Sequence, residues 1–351
     1  MKRSLLTTLL ARASLMVAGA LSLGSCIAEN MDDCPPRLFV KTKYETRAGG
    51  STRLISTATP IEEWYNRIEN VTVYIFDEND RFVTLWEGGA YTVGEEYEVP
   101  LDKLGLREGI YNVVAWTNCG EASPQYNVGG LGEGVTLEDL TMALNVPPDG
   151  TLRDDINHIH WGLHPERIHY SSKSKKSSHV IEIAPVTHKV NFSVSGLEGE
   201  GPYEVTVTDR NARHSFRNGY ISGDYYRHVR SMSAADDTRA EAGSALVASM
   251  ILMQIQDDSG TSFEIGDTAS GQTVELPELP SVGGLPDYPA GDLVGFITKI
   301  AALNGSSPDF ENTREFDIAI DYRTGGGGGG AGAVIVISVN QWEYVINETV
   351  L

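Results

Sequence analysis

Short runs in which apolar and polar side chains alternate, each closed by Gly, Pro, Asn or Asp, recur along the chain from residue 38 onward. A period of two marks a strand with one face in a core, whereas the apolar stripe of a helix repeats every ~3.6 residues. Val71, Val73 and Ile75 alternate with Thr72, Tyr74 and Phe76. The polar turn Asp77-Glu78-Asn79-Asp80 then leads back into Arg81-Phe82-Val83-Thr84-Leu85-Trp86, which predicts a hairpin. Leu38 to Tyr44 opens the series after Pro35-Pro36, and Tyr97 to Leu101, Ile110 to Trp116 and Val180 to Ile183 extend it. Past Pro185 it resumes with Val190, Phe192 and Val194, then Tyr203, Val205 and Val207, then Phe316, Ile318, Ile320 and Tyr322. Val334 to Val339 and Trp342 to Val345 close it.

Ala245 to Ile255 is a dense apolar run, too short for the ~18 residues of a membrane-spanning helix, and is predicted as a strand buried on both faces. Short helices are expected at Ile61 to Ile68 and at Leu137 to Leu144, where Thr136 and Asp139 have capping-box spacing. The chain has 351 residues, 41% of them hydrophobic, enough for about two cores. The expectation is an all-β fold of two tandem antiparallel β-sandwich domains, 37–185 and 186–351, with short helices at sheet ends. The glycine run Gly325 to Gly330 opens onto β-branched residues with no following Gly-Lys-Ser, so it is a hairpin loop and not a phosphate cradle. Asp and Glu number 48 against 27 Lys and Arg, a net charge of −21, which argues against nucleic acid as a partner because phosphate binding needs cations.

The first 25 residues form a targeting segment. Lys2, Arg3 and Arg12 precede an apolar run from Ala13 to Leu23, the length of a secretory signal core. Leu23-Gly24-Ser25-Cys26 then resembles a bacterial lipobox, with cleavage between Ser25 and Cys26 and acyl chains on Cys26. Residues 26–36 are read as the lipidated tether. Glu29, Asp32 and Asp33 follow the cysteine as an acidic stretch similar to a surface-export signal. With Cys26 acylated, Cys34 and Cys119 remain as a candidate disulfide.

Residues arranged for chemistry are few. His158, His160 and His164 could ligate a metal, but their spacing matches no closed motif, and solvated histidines are the reading preferred; no cofactor is expected. Asp77, Asn79 and Asp80 lack the glycine and distal glutamate of a calcium loop. Asp267-Thr268-Ala269 fits an O-glycosylation acceptor at Thr268. No nucleophile elbow or acid-base set is singled out, so no enzymatic activity is expected.

Several of these features occur together in one family. The lipobox Cys26, the start Asp33-Cys34-Pro35-Pro36 with Leu38-Phe39-Val40, the strand and turn Val71 to Asp77, Tyr111 to Trp116, and the terminal Val339-Asn340-Gln341-Trp342 resemble the FimB and Mfa-type fimbrial anchor lipoproteins of Bacteroidales. The resemblance implies two transthyretin-like sandwiches, no enzymatic activity, and a lipid-anchored place on the outer membrane at the base of a fimbria. It further implies fimbrial stalk subunits as partners, with Val339 to Leu351 as a candidate docking strand and no cut at Arg47 or Arg53. Two other readings compete: a stalk or tip fimbrillin, and a surface glycan-binding lipoprotein using Trp64, Trp86, Trp161 or Tyr225-Tyr226 as platforms.

Overall fold

The computed structural model describes residues 36–42, 68–92, 95–120, 123–171, 177–197, 201–235, 245–323 and 332–349. The first half carries β1 (Arg37–Thr42), β2 (Val71–Phe76), β3 (Phe82–Gly88), β4 (Glu96–Val99) and β5 (Gly109–Thr117). It continues with β6 (Tyr126–Gly129), β7 (Thr141–Leu144), β8 (Thr151–Leu152), β9 (His160–Leu163), β10 (Ile168–Tyr170) and β11 (Ser178–Pro185). The second half begins with β12 (Thr187–Ser195), β13 (Tyr203–Asp209), β14 (Arg213–Ser215), β15 (Tyr220–Ile221) and β16 (Tyr226–Ser231). Next come β17 (Ser233–Ala234), β18 (Leu246–Met253), β19 (Ser262–Asp267) and β20 (Gln272–Thr273). Helix α1 (Leu293–Leu303) precedes β21 (Glu315–Arg323), β22 (Gly332–Val339) and β23 (Trp342–Thr349). The fold is all-β, built of packed sheets.

An eight-stranded sheet runs β3-β2-β5-β9-β11-β1-β4, with β10 also on β5. Its inner face encloses one core, to which Leu38, Val40, Val73, Val113, Ile181 and Ile183 contribute. β2 is buried at every position, which explains why its outward-facing partners Tyr74 and Phe76 are aromatic and not polar. Those rings face a second core with Trp116, Tyr126, Leu137, Leu140 and Met142. A third core lies between the six-stranded sheet β17-β18-β12-β21-β22-β23 and the five-stranded sheet β20-β19-β13-β16-β8, with α1 packed against it. Most pairings are antiparallel, but β1 with β11, β12 with β21 and β8 with β16 are parallel.

The second core draws on both halves. β14 pairs with β7, so the hairpin β14-β15 extends the sheet of β6 and β7. Its turn residue Phe216 is fully buried, 4.7 Å from the Tyr74 ring and 6.0 Å from Trp116. The turn is fastened at both ends of the peptide: Phe216 N donates to Leu140 O at 3.1 Å, and Trp161 Nε1 donates to Phe216 O at 3.0 Å.

Three expectations are corrected. Leu137 to Leu144 is not a helix: Thr136 does meet the Asp139 carboxylate, at 2.7 Å from its hydroxyl, but this closes a single turn. Thr141–Leu144 is then claimed by strand pairing with β6 and β14, which satisfies its backbone better than an isolated short helix would. Leu246–Met253 is a strand buried on both faces only toward its end: Leu246, Ala248, Met250 and Leu252 pack on the third core and Ile251 and Met253 on the second, while Val247 and Ser249 are half-buried.

The third correction concerns the bridge between Cys34 and Cys119, which does not fit the sheet. Cys34 lies outside the described residues, but Arg37 pairs with Ser178 at one end of β11, and Cys119 follows Thr117 at the opposite end of the codirectional β5. The offset is about eight residues, roughly 25 Å at ~3.3 Å each. Three extended residues reach at most ~11 Å, and a disulfide needs Cα atoms within ~7 Å. Cys119 is a buried thiol of the second core, and burial pushes its pKa up to about 12.

Truncating the turn residue tests the role of the shared core. Phe216→Ala is expected to lower unfolding stability by about 3–5 kcal/mol, typical of a buried aromatic deletion, in urea titrations of the purified chain. A loss below ~1 kcal/mol would show that the halves hold together without this ring.

Candidate assembly edge and the predicted site residues

Strand β23 forms one border of the six-stranded sheet and pairs only with β22 among the described residues. The two strands are joined through the two-residue turn Asn340-Gln341, with Asn340 at φ 51°, as such hairpins require. Asn340 is also anchored by its side chain, whose Oδ1 accepts from Asp317 N at 2.7 Å. The closing pair Val339 and Trp342 exchanges hydrogen bonds in a hairpin of this length, so Glu343, Val345, Asn347 and Thr349 turn their N–H and C=O groups away from β22. Asn304, the C-cap of α1, donates to Glu343 O at 3.1 Å and covers the first of these groups. From Val345 onward the border offers main-chain groups with no such cover among the described residues.

Side chains divide in the same way. Trp342, Tyr344 and Ile346 pack on the third core, while Val345 is 42% exposed. A border without Lys or Pro and with an exposed β-branched residue is suited to accept another strand. The sequence anticipated a strand from Trp342 to Val345, and the structure carries it to Thr349. The Asn304 cap was missed, since no local pattern links residues 304 and 343.

Other predicted residues are dispersed. Ser25, Cys26, Arg47, Arg53, Trp64, most of the Ile61 to Ile68 segment and the run Gly325 to Gly330 lie outside the described residues. Thr268 is exposed on a turn, its hydroxyl donating to Pro202 O at 2.9 Å. Trp161 and Tyr226 belong to the second core; Tyr225 is exposed, with the Arg210 guanidinium over its ring at 5.0 Å. Trp86 is half-buried between β3 and β4.

The expected solvated histidines are instead interior. His158 and His160 are buried, with Nδ1 at 2.6 Å from Thr187 Oγ1 and 3.0 Å from Thr117 Oγ1. His164 is turned toward Glu166 O. Among the described residues no three metal-ligating side chains are grouped as a metal site requires, and no helix is long and apolar enough to cross a membrane.

A sequence profile describing fimbrillin-A associated anchor proteins Mfa1 and Mfa2 matches residues 31–348. The chain belongs to this family of fimbrial anchor proteins. No curated protein matches its sequence. Among solved structures, the fimbrial anchor protein Mfa2 from Porphyromonas gingivalis is similar over 90% of this chain and 100% of that one, at 16% identity and a TM-score of 0.58. A candidate adhesin from Bacteroides thetaiotaomicron is similar over 90% and 99%, at 16% identity and a TM-score of 0.61. A candidate polysaccharide-binding protein from the same organism is similar over 90% and 99%, at 17% identity and a TM-score of 0.59. At these identities the likeness establishes a shared fold. The family drawn from the motifs of the sequence is the one found.

In this anchor-family chain the buried histidines carry an electrostatic cost that depends on pH. Burial pushes His160, His188 and His228 down to about 3 and His214 to about 4, with Arg314 adding to the effect at His160 and His188. His158 is also held well below the ordinary range by burial, then by His160, Lys189 and His188. In the unfolded chain each takes up a proton near pH 6.5. The unfolded state therefore binds more protons below that pH, and stability falls as pH falls from about 6.5 toward 4. Each histidine contributes a loss of about 1.4 kcal/mol at pH 5.5. Asp209 works the other way: burial raises it to about 6, so its protonation stabilises the fold between pH 6 and 4 and offsets roughly one histidine. The urea midpoint is thus expected to drop between pH 7.5 and 5.5, and His160→Gln to reduce the slope by about one proton; equal midpoints at the two pH values would contradict this account.

Proposed function

We propose that this chain is a lipid-anchored minor fimbrial subunit that attaches a fimbria to the outer membrane and influences its assembly and length. Acyl chains on Cys26 hold it to the membrane, and β23 receives a strand from the adjacent stalk subunit. Membership of the anchor-protein family supports the fimbrial role, and the uncovered main-chain border from Val345 to Thr349 is the observation that carries the docking mode. Three acyl chains give stable anchoring, since each buried methylene contributes about 0.8 kcal/mol and one chain alone is marginal. Main-chain hydrogen bonds along β23 supply affinity, while alternate side chains set the register.

Two substitutions separate the two parts of this reading. Cys26→Ala is expected to release filaments from cells into the medium; filaments that stay cell-bound with unchanged length would overturn the anchoring role. Val345→Pro removes an outward N–H and leaves the ladder with β22 intact. The variant is expected to fold, keep its acyl chains and lose co-purification with stalk subunits. Undiminished co-purification would exclude β23 as the docking border.

A further inference from the structure

The eight-stranded sheet ends in β3 on one side and β4 on the other, and side chains of these two borders touch. The seam is closed by aromatic rings: Trp86 of β3 lies 5.2 Å from Tyr97 of β4, and Tyr97 lies 6.0 Å from Tyr91. Gly88 makes this possible. A Cβ there would stand 2.6 Å from Trp86 Cζ3 and 2.9 Å from Tyr97 Oη, so only glycine lets the indole lie down against the backbone. The indole is thereby fixed as a platform, half-buried and braced from beneath.

Beside this platform is an open surface hollow of about 490 Å³, lined by Trp86, Tyr97, Glu96, Glu98, Pro100, Asp102 and Lys103. The size falls within the ~300–1,000 Å³ of small-ligand pockets. The rim is rich in carboxylates, yet its charge is balanced. Arg37 Nε and Nη2 each donate to Glu98 at 2.6 Å, Lys41 Nζ lies 3.5 Å from Glu96, and Lys103 follows Asp102 on the short 3-10 turn Leu101–Leu104. A ligand bearing net charge gains little from such a rim. A neutral polyol gains much, because carboxylates accept and ammonium groups donate to hydroxyls, while the apolar C–H face of a sugar ring stacks on an aromatic surface.

We propose that the seam between β3 and β4 is a binding site for a neutral hexopyranose unit of a glycan, stacked on Trp86 and bonded by its hydroxyls to Glu96, Asp102 and Lys103. The site is independent of Cys26 and of β23, so it can fail while the anchoring role stands, and the reverse.

The test uses the chain from residue 27 to its end, run in affinity gels containing dextran, yeast mannan, larch arabinogalactan or the anionic polygalacturonate. Retardation is expected with at least one neutral polymer, unchanged when salt is raised from 0.05 to about 0.5 M, a range that screens exposed charges. Trp86→Ala is expected to weaken that retardation at least tenfold. Because Trp86 also packs on the first core, the rim variant Asp102→Ala, on an exposed turn, is measured beside it and is expected to weaken binding at least threefold with an unchanged melting temperature. No retardation by any neutral polymer, retardation by polygalacturonate alone, or retardation that Asp102→Ala leaves unchanged would each overturn the proposal.

Discussion

The two halves of this chain are joined through one apolar core, into which the Phe216 ring is inserted. Phe216 sits on a two-stranded arm of the C-terminal half and packs against Tyr74, Phe76 and Trp116, which belong to the outer face of β2 and β5. β2 and β5 are walls shared by two cores, and Phe216 fills part of the outer one beside Tyr126, Leu140 and Met142. It also commits the sheet of β6 and β7 to accept β14 as a neighbour. Ion pairs reinforce the same junction from outside, since Arg217 reaches both Asp80 and Glu138, but exposed pairs of this kind contribute little beside a buried aromatic. The joint is therefore apolar in origin, with charges settling its orientation.

How much of this could be read from the sequence varies with the range of the interaction. Strands with one wet face, such as β13 and β21, alternate cleanly and were legible. β2 was legible as a strand, and its aromatic outer positions were a sign of a second core that alternation alone cannot distinguish from surface tyrosine. Helix α1 escaped the strand reading although Asp292 caps it, with its side chain accepting from Gly295 N at 2.6 Å, and its apolar residues Leu293, Phe296, Ile297 and Ile300 keep helical spacing. The reverse error, at Leu137 to Leu144, came from a local cap that pairing with distant strands overrode. The hairpin around Phe216 carries no periodic signal, because its partners lie 55 or more residues away, and His158 and His160 likewise meet partners 29 and 43 residues away.

The two large sheets treat their borders differently, and this difference organises the functional reading. The eight-stranded sheet brings side chains of its two borders, β3 and β4, together through Trp86 and Tyr97. The six-stranded sheet stays open along β23, where only the first outward carbonyl is capped. Side chains clustered across two borders can line a hollow, whereas a border with uncovered main-chain groups can accept a strand. One sheet thus offers a pocket, and the other a template for main-chain pairing.

The placement of β1 has a mechanical consequence. The strand is gripped on both flanks, by six register pairs to β11 and four to β4. Tension arriving from the residues before Arg37 runs along its axis, so the bonds on both flanks resist in shear and must rupture nearly together. A pull along β23 would be resisted on one flank alone, by its eight register pairs to β22. The amino-terminal side is accordingly the stronger point of traction, whatever the load it bears.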